Sequence, residues 1–266
     1  MTKNYDVKDY FKYLGYPSGD QPYWSENLRS LSVYCRGDIA NLEALLAPTP
    51  FEPADDRFVV QIADFGNATP GAFYDSGVVI PVLYKGRKAV TYFFEFEDQQ
   101  WSVAFGREVW GYPKHYGEVE LTDSADLVAG TVRRAGRQIF GISMTPEEGY
   151  SNAAWADMSL YPHFQVHALP EANGPGFKTF EIVSRDTSKD FVLKSKTFGP
   201  AEVELSDVLS VDGVELKLVE VLGGEFSVGD YACTVENGIS TVIDDLLAGG
   251  GTAADGAVAA DEGAAP

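Results

Sequence analysis

The sequence predicts a mainly β, antiparallel, single-domain fold, a barrel or a sandwich with a few short helices. Runs of alternating apolar and polar residues recur along most of the chain, as at 127–133 and 178–184. A period of two marks half-buried strands. Turn signals interrupt these runs at short intervals, among them Lys85-Gly86, Ala135-Gly136 and Gly174-Pro175-Gly176, as hairpins require. Too few helical stretches lie between the strands for a doubly wound α/β sheet. The chain has 266 residues, 45 % of them hydrophobic, enough to bury one large core.

Residues 1–24 predict a short helix followed by a turn from Gly15 to Pro22. Leu28–Cys35 reads as a strand. Asp38 can cap a helix bearing Ile39, Leu42, Leu45 and Leu46 on one side, ended by Pro48 and Pro50. Strands follow at 58–64 and 73–84, the second interrupted by Gly77 and Pro81, which suggest a bulge or an edge. Ala89–Glu97 is strand-like and strongly aromatic. Further strands are expected at 119–121, 127–133, 138–144, 163–169, 178–184, 189–197, 201–205 and 215–228. Helices are expected at 145–156 and 239–247. Residues 1–248 are read as the domain. Residues 249–266 are almost wholly Gly, Ala, Asp and Glu and predict a disordered tail.

The formal net charge is −20, which repels nucleic acid and anionic membranes. No apolar run approaches the length of a membrane span, and the first residues lack the apolar core of a secretion signal. Both point to a cytoplasmic protein. Cys35 and Cys233 have neither metal spacing nor a disulfide pattern. His163 and His167 share a strand face but lack a third ligand nearby, so no metal is expected.

The chemistry centres on Gly106-Arg107-Glu108-Val109-Trp110-Gly111-Tyr112-Pro113-Lys114-His115. Pro113 stiffens the backbone and biases Tyr112 towards extended geometry, presenting Lys114 from a turn against the Trp110 and Tyr112 rings. At the ordinary pKa of about 10.4, roughly one lysine in a thousand is free amine at neutral pH. A dry aromatic setting is expected to lower that value and make Lys114 a nucleophile towards carbonyls.

This stretch resembles the active-site segment of the acetoacetate decarboxylase family, in which the lysine after the proline forms a Schiff base with a ketone. Tyr74-Asp75-Ser76-Gly77 with Ile80-Pro81-Val82 is similar to a second family segment. Thr197-Phe198-Gly199-Pro200 with Val203 and Leu205 resembles a third. The opening, Arg29 to Arg36 and on to the Pro48–Pro50 turn, is also similar. The likeness runs from about residue 20 to residue 247. It implies a cone-shaped antiparallel barrel with an internal pocket, a homo-oligomer, a small carboxylate-bearing carbonyl substrate and no cofactor.

The departures from the family pattern concern charge. His115 stands where the decarboxylases have a second lysine. Gln61 stands at a glutamate position, Asp75 at another, and the family's pocket arginine falls at Arg29 or Leu28. These changes favour a lyase acting on a small 2-oxo acid by aldolase-dehydratase or hydratase chemistry. Lys114, Asp75 and His115 are the candidate catalytic residues. Arg29, Gln61, Tyr74, Trp110 and Tyr112 are the candidate substrate-binding residues. Acetoacetate decarboxylation and non-catalytic binding of a small acid are the alternatives.

Overall fold

A computed structural model describes residues 23–69, 71–234 and 238–248. The expected N-terminal helix and turn, and the tail from residue 249, lie outside them. Strand β1 spans Tyr23–Gly37 and helix α1 Ile39–Leu46, followed by β2 (Glu52–Pro53), β3 (Arg57–Phe65), β4 (Ala68–Thr69), β5 (Phe73–Tyr84) and β6 (Arg87–Glu97). Helix α2 (Gln100–Trp110) leads into β7 (Lys114–Tyr116), β8 (Glu118–Asp123), β9 (Val128–Arg134) and β10 (Arg137–Met144). The chain continues through β11 (His163–Pro170), β12 (Phe177–Arg185), β13 (Val192–Gly199) and β14 (Ala201–Leu205). It ends in β15 (Ser210–Val211), β16 (Val214–Glu215), β17 (Leu218–Cys233) and β18 (Thr241–Asp245).

The mainly β, antiparallel expectation holds. The large sheet runs β13-β17-β1-β3-β5-β6-β11-β12-β18, and a second sheet runs β14-β10-β9-β8. Strand parity divides the large sheet into two faces. Leu31, Val33, Val60, Ile62, Val78 and Ile80 join Val119, Leu121, Val132 and Ile142 of the second sheet in one buried apolar layer. The opposite face carries Ser30, Ser32, Gln61 and Asp75. Among the described residues the ladder does not close, because β13 and β18 remain its two edges. The sheet nevertheless curls until β12 faces β17: Arg185 Nη2 lies 3.3 Å from Tyr231 Oη and 3.2 Å from Cys233 Sγ. The polar face thereby becomes the inside of a cone.

The Asp38 carboxylate accepts from the Ala40 and Asn41 amides and starts α1, as expected. Leu42, Leu45 and Leu46 are buried, whereas Ile39 is exposed. Residues 145–156 form turns rather than the expected helix. Gly149 has φ +78°, and Trp155 is instead drawn against the Tyr34 ring, with centroids 5.0 Å apart. The expected helix at 239–247 is largely β18, which pairs with β12 through Thr241↔Ser184 and Asp244↔Ile182. Its β-branched run Thr241-Val242-Ile243 suits a strand, and β12 offers it an edge. No helix among the described residues is long and apolar enough to cross a membrane.

Candidate active site

Register decides what faces the interior. Asp75 pairs with Glu97 and Gly77 with Glu95 across β5 and β6, while Glu95 pairs with Lys114 across the parallel β6–β7 contact. Residues so paired share a sheet face, so Asp75, Glu95, Glu97 and Lys114 point inward together. His115 pairs with Phe96 and takes the other face. Val78 faces Phe94 and Val79 faces Tyr92, which leaves Phe93 as an extra, bulged residue. A bulge reverses parity beyond it, so Tyr92 joins the inward face three residues before Glu95. Gly77 sits beside the bulge, one residue before it on β5. A β-carbon there would overlap the Phe94 carbonyl oxygen and stand 3.1 Å from Tyr92 Cδ1.

The segment ahead of Lys114 is a helix, α2, rather than a turn alone. Its start lacks a side-chain cap on Gln99, which is why the sequence does not announce it. Gly111 ends it with φ +71°, its amide returning to the Arg107 carbonyl, a left-handed cap that suits glycine. A side chain at 111 would also meet the His167 backbone at 2.7 Å. Tyr112 and Pro113 then carry the chain into β7.

Lys114 is 5 % exposed and Glu95 and Glu97 each 1 %. Lys114 Nζ donates to Glu95 Oε1 at 2.7 Å, to Asp75 Oδ2 at 3.2 Å and to Glu97 Oε1. One ammonium cannot neutralise three carboxylates in a dry site. Burial therefore pushes Glu97 up to about 7 and Glu95 well above the carboxylate range, against the pull of the ammonium. Burial works to lower Lys114 as well, but Asp75, Glu95 and Glu97 together hold it well above its ordinary value. The expectation of a lysine depressed by dryness is thus reversed, because the residues that dry it also surround it with negative charge. The three carboxylates lie within 4.8 Å of one another, a spacing that would suit a metal ion, and here the ammonium is the cation among them.

The pocket above Lys114 encloses about 750 Å³, counting its open mouth, and its walls include Tyr23, Trp110, Tyr112, His163 and Arg185. The Arg185 guanidinium stacks 3.8 Å from the Trp110 ring centroid, and its Nε donates to the Gly238 carbonyl at 2.7 Å. No carboxylate is bonded to it among the described residues. Its Cζ lies 5.8 Å from the Tyr112 ring centroid and Lys114 Nζ 5.2 Å from the same point. The Tyr112 hydroxyl and His163 Nδ1 share a hydrogen bond of 2.7 Å. Burial and Arg185 hold His163 down at about 3, so its ring is neutral, while burial raises Tyr112 to about 12.

A model of the family described as acetoacetate decarboxylase matches residues 15–240. The chain belongs to the acetoacetate decarboxylase family. An acetoacetate decarboxylase of Ralstonia nicotianae is 28 % identical over 239 residues, covering 88 % of this chain and 92 % of that protein. The crystal structure of acetoacetate decarboxylase from Legionella pneumophila superposes with a TM-score of 0.73 at 22 % identity, over 85 % of this chain and 89 % of that one. The enduracididine biosynthesis enzyme MppR, complexed with pyruvate, superposes with a TM-score of 0.65 at 18 % identity, over 84 % and 90 %.

Measured against the acetoacetate decarboxylase pattern, several expected site residues stand elsewhere. Arg29 lies on the opposite face of β1, bonded to Asp64 and Asp123. Its neighbour Leu28 faces a second cavity instead. Tyr74 follows strand parity away from Asp75 and packs against the apolar layer. His115 is exposed, with its titration lowered by burial of part of the ring and by Arg134 and Arg107, and it does not reach the pocket. Gln61 faces the second cavity, where its amide donates to Ser30 and Ser32 and accepts from Tyr92. Asp75, Trp110 and Tyr112 line the Lys114 pocket.

Glu95, Glu97 and Arg185 escaped the sequence reading. The two glutamates were legible as acids two apart in the aromatic strand Phe93-Phe94-Glu95-Phe96-Glu97, where period-two spacing sets both on one face. Nothing local marks Arg185, whose role comes from the curl that brings β12 to β17.

Proposed function

We propose that Lys114 forms an imine with the ketone of a small 2-oxo acid whose carboxylate rests against Arg185, and that the surrounding carboxyl groups move the protons of an aldolase-dehydratase or hydratase reaction. The observation carrying this reading is the buried Lys114 ammonium among Asp75, Glu95 and Glu97 in one pocket with Arg185. In a dry site the ion pair and the neutral amine–acid pair approach each other in energy, since burial penalises both charges. Passing one proton from Lys114 to a bonded glutamate frees the amine to add to the carbonyl. The carbinolamine then takes a proton on oxygen and loses water, leaving the iminium. Loss of a proton from the adjacent carbon to a carboxylate gives an enamine. The enamine can add to an aldehyde, or the iminium system can gain or lose water, each step needing a proton carrier within reach. The pyruvate complex of MppR, a protein of the same fold, supports a 2-oxo acid here.

Loss of carbon dioxide is the second reading, favoured by the acetoacetate decarboxylases to which the chain is similar over most of its length. An arginine gripping the carboxylate opposes it, because the grip stabilises a charge that the transition state must discharge. Borohydride added in the presence of pyruvate should reduce the imine and add the substrate mass to the peptide holding Lys114. Headspace acetone from acetoacetate should stay far below about one turnover per second, the low end for enzymes. An adduct on a different lysine would overturn the first reading, and rapid acetone release would establish the second.

A further inference from the structure

Behind the Lys114 pocket lies a second cavity of about 830 Å³, counting its mouth. Phe65, Asp75, Tyr92, Tyr161 and Tyr231 line both, forming a shared wall. Asp75 stands at the passage: Oδ2 accepts from Lys114, while its buried Oδ1 has no partner among the described residues.

One wall of this second cavity carries hydroxyl and amide groups, set among the apolar side chains of Leu28, Ala63, Leu160 and Phe191. Gln61 Nε2 donates to Ser30 Oγ at 2.9 Å and to Ser32 Oγ at 3.1 Å, and Gln61 Oε1 accepts from Tyr92 Oη at 2.7 Å. Each serine therefore spends its oxygen as an acceptor and keeps its own O–H to donate. Ser227 and Glu225 of β17 line the other side. Glu225 is held by Lys196 at 2.8 Å, leaving carboxylate oxygen to accept a further donor. Among the described residues no lysine or arginine lines this cavity, in contrast to the Lys114 pocket, and the charged side chains that line it are the carboxylates Asp75 and Glu225.

From this arrangement we infer that the second cavity is a specificity subsite for the far end of the substrate, and that it selects an uncharged tail bearing a hydroxyl. The inference rests on Lys114 as the imine-forming residue. A hydroxyl can accept from Ser30 or Ser32 while donating to Asp75 or Glu225. An alkyl tail leaves those groups without partners, and an anionic tail meets two carboxylates with no cation to offset them. A site that bonds a hydroxyl discriminates against its absence, because the buried groups are then left unpaired. The acid end of the substrate stays at Arg185.

The test compares pyruvate, phenylpyruvate, 4-hydroxyphenylpyruvate and 4-carboxyphenylpyruvate. The readout is the concentration that half-saturates borohydride-trapped adduct on Lys114. The hydroxylated acid should half-saturate about threefold to tenfold lower than phenylpyruvate, the yield of one well-made hydrogen bond, and the carboxylated one higher than phenylpyruvate. The ratio of hydroxylated to plain acid, measured within each variant, should fall towards one in Gln61→Leu and in Ser32→Ala, the second serving should the first not fold. Pyruvate carries no tail and separates the two ideas. Absence of a pyruvate adduct removes the imine chemistry on which the subsite depends. A pyruvate adduct with no preference for the hydroxyl, or with a preference unchanged in both variants, overturns the subsite alone.

Discussion

Gly106 and Lys114 share one space. A β-carbon on residue 106 would stand 2.5 Å from Lys114 Cδ and closer still to Cε. The middle of α2 therefore lacks a side chain because the lysine stem runs across it on the way to Asp75, Glu95 and Glu97.

Gly106→Ala should accordingly displace the amine. In an exposed helix the change would stabilise by about 1 kcal/mol, but overpacking a filled site costs about 1–3 kcal/mol, so a net loss is expected. Adduct formation with pyruvate should fall more steeply than stability, since a shift of an ångström spoils attack geometry. Denaturant midpoint and trapped adduct are the measurements. A variant of full stability with full trapping would show that the helix and the lysine are not in conflict.

Arg185→Gln should weaken capture of the substrate carboxylate. Loss of a hydrogen bond to a charged group is worth about 1.5–3 kcal/mol, so the half-saturating pyruvate concentration should rise by about tenfold to a hundredfold. Arg185→Lys should restore little, because a lysine lacks the planar fork that stacks on Trp110 and reaches Gly238. Equal half-saturation in all three proteins would place the carboxylate elsewhere.

Much of this fold could be read in the sequence, since the strands between residues 28 and 144 announce themselves by alternation and turn residues. The site was legible where it is local. Lys114 follows from its segment and Asp75 from the second one. It was obscured where parity or curvature intervenes. Tyr92 faces the pocket only because Phe93 is bulged. Arg185 reaches it only because the sheet curls. His115 adjoins Lys114 in sequence and is for that reason on the other side of the strand, and Arg29 is removed by the same alternation.

His115→Gln should leave trapping at Lys114 unchanged in rate and in its dependence on pH. The imidazole takes the Phe96 face of β7, with ring centroids 6.0 Å apart, and burial with Arg134 and Arg107 holds it below its ordinary value. Its ring thus faces away from the carboxylate cluster. A pH profile displaced by a unit or more in the variant would make this histidine an electrostatic neighbour of Lys114 after all.

Lys114→Met should reveal the charge balance of the cluster through pH. In the wild-type protein Glu97 titrates at about 7 rather than at its ordinary 4.5. Its burial is therefore tolerated best below 4.5, and stability from this group is lost as pH rises through about 7. Lys114, raised above its ordinary value, keeps its own contribution throughout that window. Removing the ammonium takes the bonded cation from Glu95 and Glu97, which must raise their folded values further and extend the loss to higher pH. Breaking a buried ion pair from one side costs about 3–5 kcal/mol, and that penalty applies only while the carboxylates are ionised. The stability gap between wild type and Lys114→Met should therefore be small near pH 5 and widen to several kcal/mol by pH 8, measured by guanidinium unfolding at both. A gap independent of pH would mean that Glu95 and Glu97 do not titrate in response to this lysine.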